Sequence, residues 1–115
     1  MSPHEVLICA RGLIQTPEAW TKGCFARNVE GLRVSIRHPH ACAFSAEGAL
    51  YRVQWITKAP ISLAYQTLLE CITRTKHVPI AHFNDANATT HTTIINLYNQ
   101  AIARFGEVPP LELIG

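Results

Sequence analysis

Residues Leu32 to Arg37, Leu-Arg-Val-Ser-Ile-Arg, alternate apolar and polar side chains with a strict period of two. Leu32, Val34 and Ile36 then share one face while Arg33, Ser35 and Arg37 share the other, the pattern of a strand buried on one side. Cys24–Arg27 supplies a preceding strand and Asn28–Gly31 a turn, so a β-hairpin is predicted over residues 24–37. Two strands alone are marginal in water, and the apolar face of this hairpin must therefore be covered by helices.

The rest of the chain offers those helices. Ser2 is placed to cap a first helix, with Pro3 at its first position and Glu5 where a capping box needs a carboxylate. Val6, Ala10, Leu13 and Ile14 follow at helical spacing, and Thr16-Pro17-Glu18 repeats the start signal for a short turn carrying Ala19 and Trp20. Pro39 ends the strand region, after which Ala46, Ala49, Leu50 and Val53 resume the helical period. Gly48 within that helix costs about 1 kcal/mol relative to alanine, which points to a close approach of backbones there. Lys58-Ala59-Pro60 marks a break before the stripe Ile61, Ala64, Tyr65, Leu68, Leu69 and Ile72, with Arg74 and Lys76 at its negative end. A last helix carries Ile94, Tyr98, Ala101, Ile102 and Phe105 on one face. Gly106 and then Pro109-Pro110 stop it, and the apolar tail Leu111–Gly115 is left to dock on the body or on a partner. The predicted fold is one α+β domain over residues 1–115, predominantly helical, with about four helices packed on the single hairpin.

Composition sharpens the functional classes. Of 115 residues, 48% are hydrophobic and only 16% charged, so the surface is sparsely coated and suited to a protein partner or to self-association as a homo-oligomer. A net charge of +2 is too small to imply nucleic-acid binding alone, yet residues 11–76 hold nine of the ten Lys/Arg against four acids. Four cysteines lie far apart without a Cys-x-x-Cys pair. The amino end lacks a basic region before an apolar core, and no apolar run nears the ~18 residues of a membrane span. The expectation is a cytoplasmic protein with free thiols and no membrane association.

Three constellations carry candidate chemistry. In an extended segment His38, His40 and Cys42 project to one side and could hold zinc with an open position. The spacing lacks a second half, which only His77, His82 or His91 could complete through the fold, so no metal or cofactor is assigned. Cys42 also precedes the helix beginning near Ala46, where the helix dipole favours a thiolate nucleophile, with His82 or His91 oriented by Asp85. Its alternative is a small buried hydrophobe. The stretch His82–Thr93 is densest in polar groups: Asn84 and Asp85 can satisfy the backbone of a tight turn, and Thr89 or Thr90 can cap the last helix. Finally, Trp20, Lys22, Phe25, Arg27, Arg33 and Arg37 interleave aromatic and basic side chains. Such a surface could stack bases and meet phosphates, or could simply be a hairpin with exposed arginines over an apolar underside.

The segments Trp20-Thr21-Lys22-Gly23-Cys24-Phe25-Ala26-Arg27, Cys42-Ala43-Phe44-Ser45-Ala46-Glu47-Gly48-Ala49-Leu50 and Phe83-Asn84-Asp85 with Thr90 appear in that order. Over residues 5–105 the chain resembles a family of small bacterial and bacteriophage domains of unknown function that carries these three motifs. Phe83 stands where that family usually has tryptophan, Thr89 where arginine is common, and Ser45 where a second cysteine often occurs. The resemblance implies a signature formed by Trp20, Arg27, Asn84, Asp85 and Thr90, and a phage or mobile-element setting; it implies no reaction.

The expected function is a non-enzymatic phage- or prophage-associated accessory domain that binds a host macromolecule, a protein partner, with inhibition of a host system as one form of that action. A second reading is a small Cys-dependent hydrolase or transferase using Cys42, His82 or His91, and Asp85. A third is a nucleic-acid-binding module using Arg33 and Arg37.

Overall fold

Ser2 closes a capping box: its hydroxyl accepts the Glu5 N–H at 3.1 Å, and Glu5 Oε1 accepts the Ser2 N–H at 2.8 Å. The Ser2 N–H, and after it the Ser2 hydroxyl, favours the ionised carboxylate and holds Glu5 below its usual pKa. The two bonds start α1, Pro3–Leu13, in this computed structural model, which describes residues 1–72 and 78–106. A 3₁₀ turn follows at Pro17–Ala19, then strands β1 (Ala26–Arg27) and β2 (Ala43–Phe44) and helices α2 (Ala46–Thr57), α3 (Ser62–Ile72), α4 (Ile80–Asp85) and α5 (His91–Gly106). The molecule is α+β and predominantly helical, as the sequence predicts. Arg74, Lys76, His77, Pro109-Pro110 and the apolar tail lie outside the described residues.

One core joins all the helices. α1 buries Val6, Leu7 and Ala10 against Ala49, Leu50 and Val53 of α2 and against Ile94, Tyr98 and Ala101 of α5, while Ala64 and Leu68 of α3 close the other side. Each fully buried Leu, Ile or Val contributes roughly 1.5–3 kcal/mol by leaving water. Polar ties at the rim, Arg11 Nη1 to Asn99 Oδ1 at 2.7 Å and the exposed Arg104–Glu70 ion pair at 3.0 Å, orient α5 and add little.

The strand region differs from the expected hairpin over residues 24–37. The turn is where it was predicted: Gly31, at φ +79°, donates to the Asn28 carbonyl at 2.9 Å, and Asn28 Oδ1 accepts from the Glu30 and Leu32 amides at 3.0 Å. The returning arm shrinks to one antiparallel bridge, Arg27 opposite Arg33, plus the bond from Val34 N–H to the Ala26 carbonyl. The regular partner of β1 is β2, antiparallel, with Ala26 opposite Phe44 and Arg27 opposite Ala43. Trp20 bridges to Phe44 in parallel on the outer side, so the 26–27 segment lies in the middle of a short four-lane patch. The 32–37 run cannot continue because the chain turns at Ser35. Ser35 Oγ takes the Arg37 N–H, and Arg52 Nη1 donates to the carbonyls of Ile36 at 2.6 Å and His38 at 2.9 Å. Val34 and Ile36 still pack inward and Arg33, Ser35 and Arg37 outward, but Leu32 is 60% exposed.

The patch is seated on α2 through Gly48. Ser45 Oγ caps α2 by accepting the Gly48 N–H at 2.9 Å, and the Ser45 N–H donates to the Phe25 carbonyl at 3.1 Å. That carbonyl oxygen occupies the place where a Cβ on residue 48 would stand. The close backbone approach predicted from Gly48 is therefore real, and its partner is Phe25.

Behind it lies a buried carboxylate. Glu47, only 8% exposed, accepts from Tyr51 Oη at 2.8 Å and Tyr65 Oη at 2.9 Å, linking α2 to α3. Tyr98, fully buried, donates to the Ala46 carbonyl at 2.6 Å. Burial, followed by the hydrogen bond to Glu47, raises the pKa of Tyr51 and Tyr65, and burial raises that of Tyr98.

Two measurements check this account. Gly48→Ala should lower the urea midpoint by an amount equivalent to about 2–3 kcal/mol, because the Phe25 backbone must move. Stability should also fall as pH rises above about 10, where the unfolded chain's tyrosines ionise before the folded chain's do. Tyr98 alone should contribute a slope of up to about 1.4 kcal/mol per pH unit in pH-dependent urea denaturation.

Candidate functional site

Asn84 is a fully buried polar residue at the end of α4, and every hydrogen-bonding position of its amide is occupied. Its Oδ1 accepts from Trp20 Nε1 at 2.7 Å and from the Ala46 N–H at 3.0 Å. Its Nδ2 donates to the Thr21 carbonyl at 3.0 Å and to Asp85 Oδ1 at 2.9 Å. One side chain thus joins the Trp20 segment, the first turn of α2 and α4. Ala46 N–H is among the orphan donors of a helix start, so this bond completes the α2 cap that Ser45 begins.

Asp85 and its neighbours hold the next layer. Asp85 Oδ1 accepts the Gly23 N–H at 2.9 Å, and Lys22 Nζ donates to the Ala86 carbonyl at 2.7 Å while lying over the Trp20 ring. Gly23 has φ +84°, a conformation glycine adopts without strain. Arg27 spreads its guanidinium over the same loop: Nε donates to Thr21 Oγ1, Nη2 to the Lys22 carbonyl and Nη1 to the Gly31 carbonyl. Thr90 caps α5 reciprocally with Thr93, each hydroxyl accepting the other residue's N–H, and Thr89 Oγ1 donates to the Phe83 carbonyl at 2.7 Å. Trp20, Arg27, Asn84 and Asp85 are thereby brought into one bonded cluster, with Thr90 close by in sequence at the start of α5.

The catalytic and metal constellations are not assembled in this way. Cys42 is exposed and lines a recess of about 450 Å³ beside Trp20 and Arg27, whereas Asp85 lines a different cleft. Among the described residues, no hydrogen bond links Cys42 sulfur to a histidine. His82 is exposed on α4. His91 packs against Trp20 and donates from Nε2 to the Ile14 carbonyl at 2.7 Å, so its ring is occupied as a tether between α5 and the end of α1. His38 Nδ1 accepts the His40 N–H at 3.0 Å within a turn. No group of three potential metal ligands, including His38, His40 and Cys42, comes together among the described residues. The reason is local: the 38–42 segment turns rather than running extended, so period-two projection does not apply.

What the cluster does create is a cleft. Gly23, Ser45 and Asp85, all held by the bonds above, form part of its wall together with Cys24, Phe25, Arg33, Val34, Ser35, Ile36 and Ala81, enclosing about 460 Å³. Its lining is mainly apolar with a few polar groups at the edge, the usual make-up of a ligand or side-chain pocket. Arg33 spends one bond, from Nη2 to the Gly23 carbonyl at 3.2 Å, and has no acidic partner among the described residues. A second recess of about 520 Å³ shares Phe25 and Ile36 as its wall and adds Arg37, Tyr51, Gln54, Trp55 and Lys58. Phe25, 45% exposed, forms the ridge between the two, its ring edge-on to Tyr51 at 5.3 Å. Sequence reading singled out Phe25, Arg33 and Arg37 here but missed Trp55, Tyr51 and Lys58, which belong to α2 and its end. Their spacing within Tyr51–Lys58 matches one helical face, the signal that could have joined them to the strand region.

Asn84→Leu should cost about 3 kcal/mol or more in chemical denaturation, since it strands the buried Ala46 N–H and Thr21 carbonyl. Arg33→Ala, which leaves every buried group satisfied, should shift the midpoint by less than about 0.5 kcal/mol.

No curated protein and no solved structure is detectably similar to the chain. A family model, by contrast, matches residues 1–104, a span that contains the bonded cluster and both clefts, and the chain belongs to this family of unknown function, DUF6197.

Proposed function

We propose that the protein is a non-enzymatic accessory domain, phage- or prophage-associated, that acts by binding a host protein through the cleft walled by Phe25, Arg33, Ile36 and Asp85. The observation that carries this reading is the division of labour among the polar residues. Asn84, Asp85, Trp20 and Arg27 are spent on one another and on backbone groups, while the adjoining surface leaves Phe25, Leu32 and Arg33 exposed, Arg33 with no acidic partner among the described residues. A rigid wall beside exposed apolar side chains is what a binding surface needs, because little ordering cost remains to be met on association. Inhibition of a host system is the form such binding takes in this proposal, and the compartment is the cytoplasm. Among the described residues no helix is long and apolar enough to cross a membrane.

A nucleic-acid reading is favoured by one feature, Arg33 and Arg37, which have no ion-pair partner among the described residues and flank the exposed Phe25 ring. The two readings separate in one comparison. Immobilised protein should retain a host protein from lysate, retention should drop at least about tenfold with Phe25→Ala, and that variant should keep the wild-type melting temperature. Retention of a single-stranded oligonucleotide that falls steeply between 50 and 200 mM salt and is abolished by Arg33→Ala with Arg37→Ala would replace the protein reading with the nucleic-acid one.

A further inference from the structure

The two recesses that meet at Phe25 differ in polarity, and the difference specifies an occupant. The first, bounded by Phe25, Val34 and Ile36, is a mainly apolar socket large enough for one bulky side chain. The second is rimmed by Arg37 and Lys58 around Trp55, which is 37% exposed. Neither cation has an acidic partner among the described residues, and no acidic side chain lines that recess. Lys58 is held in place by its own backbone, which closes α2 in the left-handed region at φ 63°, and its Nζ lies 5.4 Å from the Trp55 ring centroid. Arg52 approaches the same ring at 5.9 Å, so two cations lie against Trp55.

We propose that this double recess binds an acidic peptide segment of the partner protein, with one large apolar side chain in the socket beside Phe25 and carboxylates on Arg37 and Lys58. The inference rests on the protein-binding reading and deepens it by naming the chemistry of the segment. Charge complementarity selects an anionic ligand, since these cations have no ion-pair partner among the described residues. Asp85 then favours peptide over nucleic acid: it lines the socket, held there by the Gly23 N–H and Asn84 Nδ2 on its Oδ1, and its negative charge repels a phosphate at that end. The small number of free cations points the same way, because a strand's backbone needs a continuous basic track, and here an apolar socket interrupts it.

The test is a selection from an unbiased 12-residue peptide display library against the whole chain, followed by fluorescence anisotropy with the peptide most enriched. The expected outcome is enrichment of sequences combining Asp or Glu with a neighbouring Trp, Phe or Leu. Binding should weaken about tenfold with Arg37→Glu, by a similar factor with Phe25→Ala, and progressively with added salt. Arg37 and Phe25 are exposed, and unchanged thermal melting of both variants would show that the losses are local. Enrichment of neutral or basic peptides would overturn the acidic-segment inference while leaving protein binding intact. Tighter binding of a dT12 oligonucleotide than of any selected peptide, competed by that peptide, would overturn both. An acidic peptide whose affinity is unchanged by Arg37→Glu and by Phe25→Ala would show that the double recess is not the site.

Discussion

A single buried amide organises this molecule. Asn84 lies where three segments of little intrinsic order meet: the loop from Trp20 to Gly23, the start of α2, and the six-residue α4. None of these would be stable alone, since a helix of that length is far below the size at which helices persist in water. The amide works because it offers two donors and two acceptor positions in one rigid plane, and here each meets a partner at 2.7–3.0 Å. In a low-dielectric setting such a network is strong when complete and costly when broken. That asymmetry gives the fold a unique arrangement at this corner, where packing of alanines and short loops would leave several near-equivalent ones.

The second organising contact is a steric one. Gly48 lets the Phe25 carbonyl come against the first turn of α2, which aligns the strand patch with the helix and leaves the Phe25 side chain facing out. Glu47 and Tyr98, one residue before and fifty after, anchor the same turn from the inside through Tyr51, Tyr65 and the Ala46 carbonyl. The start of α2 is thus held from three directions. The surface it carries is correspondingly rigid, and it includes both recesses on either side of Phe25.

This arrangement accounts for most of the polar groups in His82–Thr93. Its side chains are consumed one by one: Asn84 and Asp85 by the Trp20–Gly23 loop, Thr89 by Phe83, Thr90 by the α5 cap, and His91 by Ile14. Asp85 lines one cleft and Cys42 a different recess. The surface with free capacity lies next to the network, around Phe25, Arg33 and Arg37.

Much of the architecture was legible in the residues themselves. The capping box of Ser2 and Glu5, the apolar stripes of α1, α2, α3 and α5, the Asn28–Gly31 turn and the crowding at Gly48 all follow from local rules of period, capping and backbone freedom. Those rules act within a few residues and need no knowledge of the fold. They misjudged the partner of Ala26–Arg27, because an alternating run states which face is buried and not which strand lies alongside. Residues 33–37 keep their inward and outward faces, while the hydrogen bonds of β1 pass mainly to Ala43–Phe44, with Ala26 opposite Phe44 and Arg27 opposite Ala43. The same limit hid the partners of Asn84 and the role of Glu47, contacts that reach across up to 64 residues. By itself, then, the sequence determined α1, α2, α3 and α5, the Asn28–Gly31 turn and the single core, while α4 forms where it predicts a tight turn at Asn84 and Asp85. Only the tertiary structure decided strand pairing, which polar groups are spent on the fold, and which aromatics and cations share a surface, because each depends on contacts between segments whose proximity no local pattern encodes.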